Sequence, residues 1–308
     1  MASMTLLEYS KTGNGTELQQ AIVETFARSS MILEILPFRN ISGNALRYNQ
    51  ERALPGIAFR GINEPFVASH GITNPVVESL KIAGGDLIVD KFLVDTEGGD
   101  TRGLQESMQL KSLANAFQVS FFKGDTQSNA NDLDGLQNRV GGSQEIVNVV
   151  GGGALSRAKL DEALDLVMSP THLFMNKTMR RRITQAARNT TVGGFIVQER
   201  DDFGRWVTFY NDIPIVALED VAGQDNVLPF TETSADGATI VNTSIYVASV
   251  GEGMLMGIQN GGMQVRDLGE METQPALLTR IEWYPGLTIQ HPRAVARLRD
   301  ITDAAVTV

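Results

Sequence analysis

The chain has 308 residues, is 42% hydrophobic and carries a formal net charge of −10, with a sequence pI of 4.9. This apolar content suffices for one large core or two, while the acidic balance argues against binding nucleic acid through its phosphates. The absence of cysteine excludes disulfides and thiolate metal sites. The sequence shows no signal peptide and no apolar run of the roughly 20 residues that a membrane span needs. We therefore expect a soluble protein of a reducing cytosol.

The first part of the chain is predicted to be an arm over residues 1–45. Thr16 is a candidate N-cap for a helix over 17–30, and residues 33–38 are predicted to be extended. Residues 46–85 combine strand-like pieces with prolines and glycines, which favours an extended, weakly packed hairpin. Because an isolated two-stranded hairpin is only marginally stable, this segment is expected to need a neighbouring chain to lie on.

A long helix is the strongest pattern in the sequence. It follows a short apolar strand predicted over 84–95. One apolar stripe with spacings of three and four consists of Leu110, Leu113, Ala114, Phe117 and Phe121. Lys123, Gly124 and Asp125 end the helix, and Gly124 is expected to take the left-handed conformation that glycine tolerates. Such a helix of about 20 residues spans about 30 Å, which indicates an architectural brace.

The second half of the chain alternates strands and helices, which favours a mixed α+β arrangement. A glycine-rich connector over 141–153 leads to it. Ser156 and Asn176 are the predicted N-caps of two helices, the second over 177–187. Strands are predicted over 171–176, 192–199, 206–218, 243–250, 254–259, 261–268 and 276–290.

Two motif-like patterns have simpler structural explanations. Gly251, Gly253 and Gly257 suggest a dinucleotide-binding loop, but the third glycine falls one residue late and a strand follows where a helix is needed. We interpret them as turn glycines of a β-hairpin. Asp132, Asp134 and Gly135 suggest a calcium loop, but its first ligand position is Ala130 and no glutamate closes it. A polar turn with local Asn and Asp hydrogen bonds is predicted instead.

The titratable residues do not suggest a catalytic centre. The three histidines, at positions 70, 172 and 291, are far apart, and Asp201 and Asp202 have no third metal partner. We therefore assign no catalytic, cofactor-binding or metal-binding residue. The one basic cluster contains Arg180, Arg181 and Arg182, together with Arg188. Its three successive arginines are expected to form no single face, because successive helical residues point in different directions. A solvated surface or subunit contact is favoured over a DNA site.

An ordered series of segments covers most of the chain, about residues 5–300. In order they are LKIAGGDLIVDKFLVD, FFKGD, DGLQN, LDEALDLV, THLFMNKTMRRRI, NDIPIVALED, TSIYVASVGEGMLMGIQNGGMQVRDLG and IEWYPGLTIQHPRAVARL. Their order, spacing and total length resemble those of tailed-bacteriophage major capsid proteins with the Hong Kong 97-type fold.

That resemblance implies an α+β fold with four parts. These are an N-terminal arm (1–45), an extended hairpin loop (46–90), a peripheral domain built on the long spine helix (91–140 and 254–290), and an apical domain (141–253 and 291–308). Some relatives are crosslinked through a lysine and an asparagine. Lys81 and Lys91 lie near the loop, but no residue matches a crosslinking motif, so noncovalent locking is expected.

The resemblance also implies a function. The chain would self-assemble into hexamers and pentamers of an icosahedral head that encloses double-stranded DNA without sequence-specific binding. It would act in the virion capsid after assembly in the host cytoplasm, with scaffolding, portal and decoration proteins as partners and without catalytic activity or a membrane. The alternative is an encapsulin-like shell that holds enzyme cargo. An α+β enzyme would require clustered polar residues, which the sequence does not show.

Overall fold

The computed structural model describes residues 4–5, 30–97, 100–188, 196–200, 206–220, 224 and 226–307. The helices of these ranges are α1 (Met31–Ile35), α2 (Lys91–Glu97), α3 (Asp100–Lys123), α4 (Leu136–Arg139), α5 (Arg157–Leu166) and α6 (Lys177–Ala187). The strands are β1 (Met4–Thr5), β2 (Pro37–Asn40), β3 (Ala45–Ala53), β4 (Ile72–Ser79), β5 (Ala83–Asp90), β6 (Glu145–Val147), β7 (His172–Asn176), β8 (Ile196–Arg200), β9 (Trp206–Tyr210), β10 (Ile213–Leu218), β11 (Thr243–Ala248), β12 (Leu255–Gln259), β13 (Gln264–Glu270), β14 (Ala276–Trp283), β15 (Pro285–Ile289) and β16 (Val295–Ile301). Among the described residues, no helix is both long and apolar enough to cross a bilayer.

The described strands form four sheets, which confirms the predicted mixed α+β class. The largest has the order β6-β16-β11-β7-β10-β9-β8, with parallel pairs only at β10–β7 and β16–β6. A four-stranded sheet has the order β1-β2-β12-β15, and a three-stranded sheet has the order β13-β14-β5. Strands β3 and β4 pair only with each other.

The seven-stranded sheet separates two hydrophobic cores. On β7, Leu173 and Met175 enter a core shared with α5 and α6, while Phe174 enters a core shared with α3. Strand β11 repeats the alternation, with Val247 on the first side and Tyr246 on the second. Because side chains alternate across a strand, a sheet covered on both faces needs an almost continuously apolar sequence.

Helix α3 is the predicted spine helix and spans roughly 36 Å for its 24 residues. Its predicted stripe is confirmed, because four of its five members are buried and Leu113 is half-buried against the same core. The indole of Trp283 packs on Phe117 with ring centres 4.8 Å apart. The helix therefore joins the four-stranded and three-stranded sheets to the large one.

The glycine that ends the spine helix serves close packing, so the expected left-handed conformation is wrong. A Cβ atom at Gly124 would lie 2.2 Å from the carbonyl oxygen of Leu133. The chain turns back at this point, and the Gly135 N–H donates to the Gly124 carbonyl at 2.9 Å. A Cβ atom at Gly135 would lie 2.7 Å from the backbone of Phe122. The two glycines allow residues 125–135 to fold onto the helix end.

Gly135→Ala is expected to lower the free energy of unfolding by about 1–3 kcal/mol, the usual range for overpacking. The backbone of Gly135 is extended, with φ −75°, so the cost comes from the steric contact rather than from φ. The matched control is Gly103→Ala in the spine helix, where no atom lies within 4 Å of the new Cβ. That control should stabilise the chain by about 0.5–1 kcal/mol. Urea titration monitored by circular dichroism measures both, and equal effects would contradict the packing argument.

Several predicted element bounds are corrected. Residues 31–35 form α1, so only the end of 33–38 is extended, and the strand predicted over 84–95 ends at Asp90 where α2 follows. The segment 206–218 is split by a turn at Asn211 and Asp212, which have φ values of 45° and 63°, as in the two-residue turns of β-hairpins. The segment 276–290 is split between β14 and β15, which belong to different sheets.

Of the predicted connections and helix caps, the Asn176 cap is confirmed and the others differ from the structure or lie outside the described residues. The glycine-rich connector contains strand β6, and Gly251 and Gly253 lie between β11 and β12, which belong to different sheets rather than to one hairpin. Asn176 caps α6 as predicted, because its side chain accepts the Met179 N–H at 2.7 Å. Ser156 precedes α5, but its side chain makes no capping bond. The helix predicted over 17–30 and capped by Thr16 falls on residues that are not described, apart from Ser30.

Candidate assembly surface

A long hairpin extends from the body of the molecule. Its strands β3 and β4 pair antiparallel from Ala45↔Ser79 to Ala53↔Ile72, with an irregularity after Glu51. Residues 54–71 connect them, and we call this segment the hairpin tip. The predicted hairpin is thus present, and the described strands of the other sheets do not pair with it.

The hairpin tip exposes large apolar side chains along its whole length. All of residues 54–71 are exposed, and Phe66, which is 71% exposed, is the most covered of six large apolar side chains. These are Leu54, Ile57, Phe59, Ile62, Phe66 and Val67. Large apolar side chains exposed together in one segment are typical of protein–protein interaction sites.

Local bonds shape the tip without burying its apolar groups. The Gly61 N–H donates to the Glu64 carboxylate at 3.0 Å, and Arg60 donates to the Glu64 carbonyl at 3.1 Å. The same guanidinium lies 4.8 Å from the ring centre of Phe66. The Ser69 hydroxyl donates to the Gly56 carbonyl at 2.6 Å. The tip is therefore held by contacts within its own segment, and an ordered segment loses less conformational entropy on binding than a flexible one.

The base of the hairpin is tied to the body by two polar contacts. Arg139, which ends α4, donates to both carboxylate oxygens of Glu78 on β4 at 2.6 and 2.9 Å. The Tyr48 hydroxyl on β3 donates to the Ile289 carbonyl at 2.9 Å. Burial, reinforced by the Glu78 charge, raises the pKa of Tyr48 to about 12, so the hydroxyl keeps its proton at neutral pH. These contacts fix the direction in which the hairpin leaves the body.

Arg139→Met is expected to loosen the hairpin, because it leaves the largely buried Glu78 carboxylate without its ion-pair partner. The cost should be about 1–3 kcal/mol, and Glu78→Met made together with it should recover part of that cost. Hydrogen exchange of the β3 and β4 amides is the sensitive measurement. Unchanged exchange in Arg139→Met, or purely additive effects in the double variant, would show that the ion pair does not hold the hairpin.

Further exposed apolar side chains occur from the start of β5 to the first turns of the spine helix. We refer to them together as the spine surface, although they do not form one face, and they are Ile82, Ile88, Phe92, Leu93, Leu104 and Met108. Thr279 on β14 bonds to Arg102 and Glu106 of the spine helix, which shows that the opposite face of the three-stranded sheet covers that helix. The outer face, which carries Ile88, has no covering element among the described residues.

Several solved structures share this architecture. The holo-SrpI encapsulin complex from Synechococcus elongatus contains a chain that is 15% identical to this one, with 98% of this chain and 97% of that chain covered and a TM-score of 0.66. A chain of the native GTA particle capsid is 12% identical, with 89% of this chain and 91% of that chain covered and a TM-score of 0.64. A chain from Microbacterium phage Oxtober96 is 11% identical, with 87% of this chain and 90% of that chain covered and a TM-score of 0.62. The chain has the Hong Kong 97-type capsid fold.

No family model and no curated protein matches the sequence. The likeness to the Hong Kong 97-type fold therefore lies in the backbone, at identities that the three structures place between 11% and 15%. At such identities the likeness establishes the fold, and the function has to be argued from the surfaces.

The calcium-like pattern and the three histidines have structural explanations in this Hong Kong 97-type fold. Asp134 accepts the Thr126 N–H and hydroxyl, and Asp125 accepts the Gln127 N–H, so the predicted polar turn after the spine helix is confirmed. His70 lies on the hairpin tip and His291 lies in the loop before β16. Burial lowers the pKa of His172 to about 4. Among the described residues, no group of three metal-ligating side chains is close enough to hold an ion.

The arginine cluster on α6 agrees with its prediction only in part. The Arg182 side chain points away from the other arginines and pairs with Asp303 at 2.7 Å. Arg180, Arg181 and Arg188, however, line one cavity together, so a shared basic face exists. The available signal was the spacing of Lys177, Arg181 and Arg188, which are four and then seven residues apart and so lie on one side of a helix. Asp201 and Asp202 lie outside the described residues.

Proposed function

We propose that this chain is a major capsid protein that self-assembles through its hairpin tip into hexamers and pentamers of an icosahedral head. The observation that carries the proposal is the row of six exposed apolar side chains on an organised hairpin. Its support comes from a fold that also occurs in capsid and encapsulin shells. Exposing these apolar side chains to water is unfavourable, and burying them against a neighbouring subunit would remove that cost.

The energies are adequate for assembly. Fully burying one large apolar side chain contributes about 1.5–3 kcal/mol, so six contribute roughly 9–18 kcal/mol before the entropic cost of association. The spine surface of a neighbouring subunit offers apolar groups against which a tip can pack. A contact between two different surfaces, repeated by rotation, closes rings, and small changes of hairpin angle adapt those rings to six or five copies.

The proposed contents of the shell are double-stranded DNA held without sequence-specific contacts. The net charge of −10 would repel the DNA phosphates, so a genome could be packed inside the shell without binding to its inner wall. Scaffolding, portal and decoration proteins are the proposed partners, the host cytoplasm is the proposed place of assembly, and the virion capsid is the place of action. A shell role of this kind needs no catalytic group.

The four-part division implied by the sequence is retained as a proposal. The arm is assigned to 1–45 and the hairpin loop to 46–90. The peripheral domain is assigned to 91–140 and 254–290, and the apical domain to 141–253 and 291–308. Because the Phe174 side of the large sheet shares a core with the spine helix, the two domains are expected to move as one packed unit rather than as independent modules.

An encapsulin-like shell that holds enzyme cargo is the second candidate. The match to the encapsulin complex spans 98% of this chain and 97% of that one, with a TM-score of 0.66. Both candidates predict a closed shell, so they differ in its contents rather than in its construction.

Electron microscopy of the purified chain, expressed alone and together with a scaffolding protein, tests the proposal. Closed particles or hexameric and pentameric rings are expected, whereas a chain that stays monomeric under both conditions would refute it. The contents of particles purified from the native source separate the two candidates. Double-stranded DNA supports the capsid, and a packaged enzyme without DNA supports the encapsulin-like shell.

A further inference from the structure

A basic cavity of about 790 Å³ lies between α6 and the β8–β9 hairpin. The helix contributes Lys177, Arg180 and Arg181, and its C-cap residue is Arg188; their spacing places all four on one side of α6. The opposite side of this helix is buried through Met179 and Ile183. The other wall includes Gln198, Trp206 and Gln224.

The charge of the cavity is opposite to that of the chain. None of its lining residues that the structure describes is acidic. Lys177 pairs with Glu219 at 2.7 Å, but within the described part of the chain no carboxylate pairs with Arg180, Arg181 or Arg188. Three guanidinium groups around one concavity, which no described carboxylate neutralises, repel one another and attract an anion.

The lining also indicates the size and chemistry of a ligand. A guanidinium presents a planar fork of donors that matches phosphate oxygens, and several such groups suit a multiply charged phosphate anion. The cavity volume lies within the roughly 300–1,000 Å³ of small-molecule sites. Trp206, which is 67% exposed, adds a flat aromatic wall, and the Arg200 guanidinium lies 4.9 Å from its ring centre.

We propose that this cavity binds a small polyphosphate anion, either a nucleoside polyphosphate or inorganic polyphosphate. The concave shape favours a small ligand over duplex DNA, and the acidic remainder of the chain would repel a long polyanion. A nucleotide would place its base against Trp206, and inorganic polyphosphate would use the guanidinium groups alone. The proposal is independent of the shell function, because it requires only the folded chain.

Titration of the full chain with sodium tripolyphosphate and with ATP, at low ionic strength, tests this site. Isothermal calorimetry gives the affinity, and tryptophan emission reports on the cavity, because Trp206 is exposed whereas Trp283 is fully buried. Saturable binding is expected. Arg181→Gln should weaken it about tenfold or more, as should Arg188→Gln, since each removes a charge-assisted hydrogen bond. Arg182→Gln is the matched control, because Arg182 faces Asp303, and it should leave the affinity unchanged.

The outcomes separate the ligand sources. Tighter binding of ATP than of tripolyphosphate, reduced by Trp206→Ala, identifies a nucleotide site, and equal binding identifies a polyphosphate site. Melting temperatures establish that each variant is folded. Because Arg188 is exposed, Arg188→Gln should keep the fold even where another variant does not. The proposal is overturned by the absence of saturable binding, by equal losses in Arg181→Gln and Arg182→Gln, or by binding of duplex DNA alone.

Discussion

Phe59→Asp is expected to abolish shell assembly while leaving the fold of the subunit intact. Phe59 is a fully exposed member of the hairpin tip, so its replacement removes no contact from either hydrophobic core. In an assembled shell the change would lose about 1.5–3 kcal/mol of apolar burial at every contact and would add the desolvation of a carboxylate. Each 1.4 kcal/mol weakens a contact about tenfold, and a shell repeats the contact in every subunit.

The matched control for that prediction is His70→Asp. It places the same charge on the same tip, at an exposed residue that is not part of the apolar row. Size-exclusion chromatography and electron microscopy measure assembly, and circular dichroism measures folding. Assembly should fail in Phe59→Asp and persist in His70→Asp. Equal assembly of both variants would mean that the apolar side chain of Phe59 is not part of the contact.

Trp283→Ala is expected to cost about 3–5 kcal/mol of folding free energy, the largest effect of any single substitution considered. The indole is fully buried and packs on Phe38 and Phe117 with ring centres 5.5 and 4.8 Å away. Its Nε1–H donates to the Gln259 side chain at 3.0 Å, so truncation also leaves a buried amide without this bond. Strand β2, the spine helix and β14 all lose a common contact.

The effect of Trp283→Ala is best measured by urea unfolding in the Phe59→Asp background, where assembly does not contribute to stability. Trp206→Ala is the matched control, because the same side chain is removed from an exposed position and should change the free energy of unfolding by no more than about 0.5 kcal/mol. A cost for Trp283→Ala similar to that of the control would contradict the placement of the indole at the centre of the core.

Features set by local sequence were predictable. The spine helix was found because its apolar stripe repeats within four residues, and the Asn176 cap was found because its partner is three residues away. The strand over 276–290 was predicted as one element because its apolar character is continuous across Tyr284. Only the pairing with distant strands divides it between two sheets.

Features that join distant segments were not predictable. Arg297 lies on a strand with an apolar pattern and is buried, yet it pairs with Glu145 and Glu232, which come from other parts of the chain. Burial lowers the pKa of Arg297 to about 10, which still leaves it charged at neutral pH. Nothing adjacent to Arg297 in sequence indicates these partners. The basic cavity was missed for the same reason, since its second wall comes from the β8–β9 hairpin.

The hairpin tip lies between these two cases. Its prolines, glycines and irregular apolar residues predicted an extended loop that needs a neighbour, and the structure contains that hairpin. The sequence could not show which side chains remain exposed, because exposure depends on how far the hairpin projects from the body. The base contacts of Arg139 and Tyr48, which control that projection, connect residues 61 and 241 positions apart.

A reconstruction of the assembled particles by electron cryo-microscopy tests the central claim most directly, namely that the hairpin tip is the assembly element. The expected result is that residues 54–71 of each chain lie against a neighbouring subunit and that Phe59 and Phe66 are buried there. Closed shells in which the tips remain in solvent would contradict the account.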